Sequence, residues 1–129
     1  MSWLVKTEPS TYSFDDLLAD GSTVWEGVRS PAAVAHLRSM RKGEAVVVYH
    51  TGSVRAAVGL AVVAEGARPD PADPRSALVT LKAVARLPRQ VPLAELKERP
   101  EFERSPLVTI GRLSVLPLTA PQLRFLKGR

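Results

Sequence analysis

The residues best suited to chemistry are crowded into the first part of the chain. Trp3, Tyr12, Phe14 and Trp25 are four of the seven aromatic residues, and Tyr49 follows them. Lys6, Glu8, Glu26, Arg29 and His50 each stand close in sequence to one of these rings. An aromatic wall with a few convergent polar groups is what it takes to grip one flat, hydrogen-bonding ligand. Stacking on a base contributes about 1–3 kcal/mol, and polar groups then read its edge. The same rings would serve equally well to fill the core of a small barrel.

Two short segments sharpen this choice. Trp25-Glu26-Gly27-Val28-Arg29 runs directly into Ser30-Pro31. Gly27 permits a left-handed backbone, and N–H groups at a following helix start can contact an anion. The alternative is an inward-packed Trp25 and a surface pair of Arg29 with Glu26. Tyr49-His50-Thr51 closes an apolar run, where side chains commonly face a barrel mouth. His50 there either titrates at a ligand or serves as a structural hydrogen-bonding group.

Enzymatic readings find less support. On a strand, Lys6 and Glu8 would share a face and Thr7 would not, so an acid/base pair would be Lys6 with Glu8. No nucleophile elbow, phosphate loop or zinc-protease motif is present. The chain has no cysteine, which excludes disulfides, thiol nucleophiles and cysteine-based zinc sites. With His36 and His50 the only histidines, no metal is expected, and no cofactor.

The elements that must position these groups can be read from caps and periodicity. Trp3 to Thr7 reads as a short strand stopped ahead of Pro9. Ser13 caps a helix with Asp15 and Asp16 in its first turn, and Gly21 ends it. Ser30 and Pro31 open a second helix running from Ala32 to Met40, closed by Gly43. Ala45–Tyr49, Ala56–Val63, Ala77–Val84 and Leu113–Leu118 read as strands. Gly59 inside the second of these marks a bulge or a close approach to the backbone. Ala67 to Pro74, rich in proline and aspartate, reads as an exposed loop. Pro92 to Leu96 is a short helix, and Thr119-Ala120-Pro121-Gln122-Leu123 opens a last helical turn. The expected fold class is α+β: a small mixed β-barrel flanked by short helices.

Length and composition set the frame. The 129 residues make one domain, 1–129, and 45% hydrophobic with 24% charged residues excludes a disordered chain. No apolar run approaches the roughly 20 residues of a membrane span. The first residues lack a basic stretch leading into an apolar one, so no secretory signal is expected and the expected location is cytoplasmic. The formal net charge is +5. From Ser105 onward there is no acid, only Arg112, Arg124, Lys127 and Arg129. Such a balance favours polyanionic partners such as nucleic acid, with no membrane among them. No heptads or spare apolar stripe appear, so a monomer is expected.

Taken in order, Trp3-Leu4-Val5-Lys6-Thr7-Glu8-Pro9, Tyr12-Ser13, Trp25-Glu26-Gly27-Val28-Arg29, Tyr49-His50-Thr51 and Arg112-Leu113-Ser114-Val115 resemble the successive signatures of the EVE domain. The resemblance runs from Trp3 to Pro117. It implies a PUA-like fold, related to YTH and ASCH domains. It also implies a pocket between barrel and helices for a flipped, modified nucleobase such as a methylated cytosine, in DNA or RNA. On that reading Trp3 and Trp25 form the aromatic walls, with Gly27, Val28 and Ser30 beside them. Lys6, Glu8, Arg29, Tyr49 and His50 contact base or phosphate, and Arg112 and Ser114 complete the rim. The function implied is non-enzymatic binding; the alternative is an amidohydrolase-like enzyme acting on modified nucleosides, as among ASCH relatives. In one place the chain departs from the family, which usually follows the Val-Arg pair with asparagine and an aromatic. Here Ser30-Pro31 stands instead, so a hydroxyl replaces an amide.

Overall fold

A parallel pairing ties the start of the chain to its middle. The computed structural model describes residues 1–128, so Arg129 of the basic tail lies outside the described residues. Strand β1 (Ser2–Thr7) runs beside β3 (Ala45–His50), with Trp3 opposite Val46 and Thr7 opposite His50. A parallel pair needs a crossover. The intervening chain supplies it with α1 (Phe14–Asp20), β2 (Ser22–Trp25) and α2 (Pro31–Ser39). A long hairpin follows, β4 (Ala56–Asp70) and β5 (Asp73–Pro92). Then come α3 (Leu93–Leu96), a 3₁₀ turn over Pro100–Phe102, α4 (Pro106–Thr109), β6 (Val115–Leu118) and α5 (Ala120–Leu126). The strand order is β2-β5-β4-β3-β1-β6.

The fold is α+β and PUA-like, as expected, but the sheet is not a closed barrel. β2 and β6, four residues each, stand at the two ends of the order and pair on one side only among the described residues. β1 lies between β3 and β6, and its Trp3, Leu4 and Val5 are all buried. That is why it reads as a continuous apolar run and not as an alternating one.

The N-terminal cap signals hold at both early helices, but α2 ends at Ser39 with Met40 as its C-cap, ahead of the Gly43 expected to close it. Ser13 Oγ accepts from Asp16 N while the Asp16 carboxylate accepts from Ser13 N, a reciprocal capping box, and Gly21 ends α1 at φ 79°. Ser30 Oγ accepts from Ala33 N, with Pro31 in the first turn of α2. At Gly59 the register of β4 against β5 shifts and the Phe14 ring occupies the space a Cβ would need, so both expected reasons for that glycine apply.

Two readings are corrected. The segment Ala67–Pro74 is a hairpin end, not a loop, with only Pro71 and Ala72 between the strands. Asp70 and Asp73 shape the tip by accepting from Ala72 N and Arg75 N, and a register shift beside Pro69 absorbs its missing N–H. The second correction is β2 itself, which was not expected. Its partner is β5, placing Trp25 opposite Val79.

Candidate functional site

A cleft of about 580 Å³ opens where five pieces of chain meet. Lys6 and Thr7 border it from the end of β1, Thr11 and Tyr12 from the following turn, and Thr23 to Trp25 from β2. Glu26 to Arg29 border it from the approach to α2, and Ser114 from the approach to β6. Its size lies within the roughly 300–1,000 Å³ typical of small-ligand sites.

Each wall is pinned by a local contact. Trp25 ends β2 and is only 8% exposed, so its indole is a fixed wall, not a flap. The Tyr12 ring meets it edge-on, with centroids 6.3 Å apart and planes at 82°. Tyr12 Oη donates to Asp20 Oδ2 at 2.8 Å, and its carbonyl accepts from Thr7 Oγ1 at 2.7 Å. Gly27 takes φ 76°, a conformation that suits glycine, and the next carbonyl, of Val28, accepts from the buried Ser76 hydroxyl at 2.6 Å. Lys6 N donates to the Ser114 carbonyl, and Lys6 Nζ donates to the Gly111 carbonyl at 2.9 Å. Partial burial pushes the Lys6 pKa below its ordinary value.

Of the residues expected at a site, Lys6, Trp25, Gly27, Val28, Arg29 and Ser114 come together here. The rest do not line the cleft. Trp3 is 2% exposed, its Nε1 donates to Glu44 Oε1 at 3.0 Å, and its ring lies 6.0 Å from that of His36 on α2. The two indoles therefore do not face each other across a slot. β2 and β1 stand near opposite ends of the strand order, so their tryptophans serve different surroundings. Burial raises the Glu44 pKa, but hydrogen bonds from Trp3, Arg41 N and the terminal ammonium outweigh it and leave the carboxyl below its usual value.

Glu8 turns its carboxylate to Ser10, accepting from its N–H at 3.1 Å and its hydroxyl at 2.8 Å. These bonds, the side-chain one foremost, lower its pKa. The acid/base partnership with Lys6 that the enzymatic alternative would need is not assembled, because each group is held by a different neighbour. His50 Nε2 accepts from Phe14 N at 3.0 Å, so the imidazole satisfies a backbone donor in the first turn of α1. Burial lowers its pKa, against the pull of Asp15 and Glu8. Tyr49 is buried to 3% exposure and borders a neighbouring pocket instead. Burial raises its phenol pKa. Ser30 Oγ accepts from Ala33 N at the α2 cap, and Arg112 is exposed on the turn before β6.

Tyr12 and Glu26, part of the early aromatic and polar cluster, also line the cleft, as do Thr7, Thr11, Thr23 and Val24, which were not expected as site residues. The β-branched pair Thr23-Val24 ahead of Trp25 is a strand signal that could have placed two of them. Thr7 enters because the cleft meets β1 at its last residues, where both faces of the strand are reached.

The EVE domain matches residues 1–127 of the chain. Human thymocyte nuclear protein 1 is 29% identical over 159 aligned positions, covering 95% of this chain and 71% of that protein. A solution structure from Rhodopseudomonas palustris superposes with a TM-score of 0.91 at 36% identity, over 98% of this chain and 90% of that one. The crystal structure of the human THYN1 protein in complex with DNA containing 5-methylcytosine superposes at 0.90 with 28% identity, over 99% of this chain and 98% of that one. With a family match over residues 1–127 and solved relatives that superpose over nearly its whole length, this chain belongs to the EVE domain family.

Proposed function

We propose that the chain binds nucleic acid and takes one modified base, of the 5-methylcytosine kind, out of the strand into the cleft beside Trp25. The observation that carries this is the 580 Å³ cleft itself, with one fixed indole wall and the polar side chains of Lys6, Thr23, Glu26, Arg29 and Ser114 around it. A flat heterocycle stacks on the indole, and hydroxyls and charged groups reach its edge. The net charge of +5 favours the approach of a polyanion to the molecule as a whole. Human THYN1, similar over nearly the full length, has been solved with 5-methylcytosine DNA. On this reading the chain acts as a monomer without a metal, and its nucleic acid is DNA or RNA. Ser30 is not among the residues that line the cleft, and its Oγ accepts from Ala33 N at the α2 cap.

The test is fluorescence anisotropy with oligonucleotides that differ only in one 5-methylcytosine, and with their RNA equivalents. The methylated strand should bind more tightly. Trp25→Ala should lose about 1–3 kcal/mol of that binding if the base stacks there. Unchanged affinity in a folded Trp25→Ala protein would remove the indole from the binding site.

A further inference from the structure

Lys6 borders two cavities. Besides the large cleft it lines a pocket of about 280 Å³ with Tyr49, Thr51, Gly52 and Arg55. Its ammonium stands 5.6 Å from the Tyr49 ring centroid. One of its three N–H donors goes to Gly111, and two are left for a ligand. Arg55 is the only non-glycine residue at positive φ among the described residues, at 48°. Its carbonyl accepts from Leu93 N at 2.8 Å, which fixes the strained turn ahead of β4. Its guanidinium makes no ion pair among the described residues. Backbone strain of this kind persists where the surroundings enforce it, and it gathers at ligand sites. The nearby Glu8 carboxylate is engaged with Ser10, on the side of Gly52 where a Cβ would lie, and does not line the pocket.

We propose that this second pocket is a phosphate subsite, in which Arg55, Lys6 and the Thr51 hydroxyl hold a phosphodiester group of the strand whose base enters the cleft. The proposal rests on the base-binding reading and deepens it. The two cavities share Lys6, so a group held in the smaller one and a base in the larger both border that side chain. The smaller pocket is below the usual size for an organic ligand, and beside Leu93, Leu107 and the Tyr49 ring it presents two cations and a hydroxyl, groups that suit a compact tetrahedral anion. It would set the register of the strand without reading its sequence.

The test compares a labelled oligonucleotide carrying one 5-methylcytosine with its unmethylated twin, titrated between about 50 and about 200 mM salt. Arg55→Gln keeps a non-glycine residue at the strained position and removes only the charge. It should weaken binding to both twins by the same factor, about three- to tenfold, and reduce the salt slope by about 0.9 on duplex or about 0.7 on a single strand. Arg55→Lys should restore the slope, and the preference for the methylated twin should not change. Trp25→Ala should do the reverse, losing the preference and keeping the slope. Substituting phosphates one at a time with methylphosphonates, against the unaltered protein, should find one position whose neutralisation matches the Arg55→Gln loss. An unchanged slope in Arg55→Gln, or no such position, overturns the subsite even where the methylated twin is preferred. A slope that depends on Arg55 without any methyl preference keeps the subsite and sinks the base reading. Failure of the unaltered protein to bind either twin overturns both.

Discussion

Trp3 lies on a strand hydrogen-bonded on both sides, whereas Trp25 ends an edge strand paired on one side only. The first is enclosed completely: its indole N–H is spent on Glu44 and its ring packs against His36. The second has its backbone held by β5 and one edge covered by Tyr12, and it still borders open space. The same side chain is a structural member in one place and a candidate binding wall in the other. What separates them is the number of strands and helices competing for the ring, not anything in the ring. Polar neighbours divide the same way. Glu44 and His50 are consumed in holding elements together, while Lys6 and Arg29 remain at the cleft.

The contrast is most easily broken at Trp3. Trp3→Ala removes a fully packed ring and should cost about 3–5 kcal/mol of stability, read as a fall in the urea midpoint. If the variant folds at low temperature, its preference for methylated DNA should be intact, and a lost preference at normal stability would reverse the roles given to the two indoles. Glu44→Ala comes next. It leaves the buried Trp3 N–H without an acceptor and should cost about 1–3 kcal/mol. Glu44→Gln retains an acceptor oxygen and should lose less. A comparable 1–3 kcal/mol is expected at Trp25→Ala, but in binding affinity and on top of a stability loss, so it must be measured where circular dichroism shows the variant folded.

The smallest effect should come from His50. Its native pKa is held below the ordinary 6.5, so the unfolded chain binds more protons than the folded one as the solution is acidified. The stabilisation is therefore complete above 6.5 and is lost as the pH falls through that value toward the lower native pKa. The urea midpoint should drop between about pH 7.5 and about pH 5.5, and His50→Gln should flatten that dependence. Parallel pH profiles for the two proteins would show that His50 does not hold α1 in the way its bond to Phe14 indicates.

Much of this molecule was legible because its signals are local. The Ser13–Asp16 capping box, the Ser30-Pro31 helix start and the apolar runs of β1 and β3 depend on neighbours a few residues away. The tight space at Gly59 was legible as well, though not that Phe14 fills it. β2 was not, since a four-residue edge strand has little periodicity and owes its existence to β5, more than fifty positions on. The hairpin through Ala67–Pro74 was hidden because prolines and aspartates signal a turn but do not say how narrow it is.

Read alone, the sequence settled the α+β class, the early aromatic and basic residues and the family signatures. These follow from chain-local propensity and composition. Only the tertiary structure decided which tryptophan meets the cleft, that Glu8 and His50 are turned to other tasks, and that Lys6 stands between two cavities. Those outcomes are set by the strand order β2-β5-β4-β3-β1-β6, and a strand order is fixed by the competition among long-range pairings for the same buried faces, which no short window of residues contains.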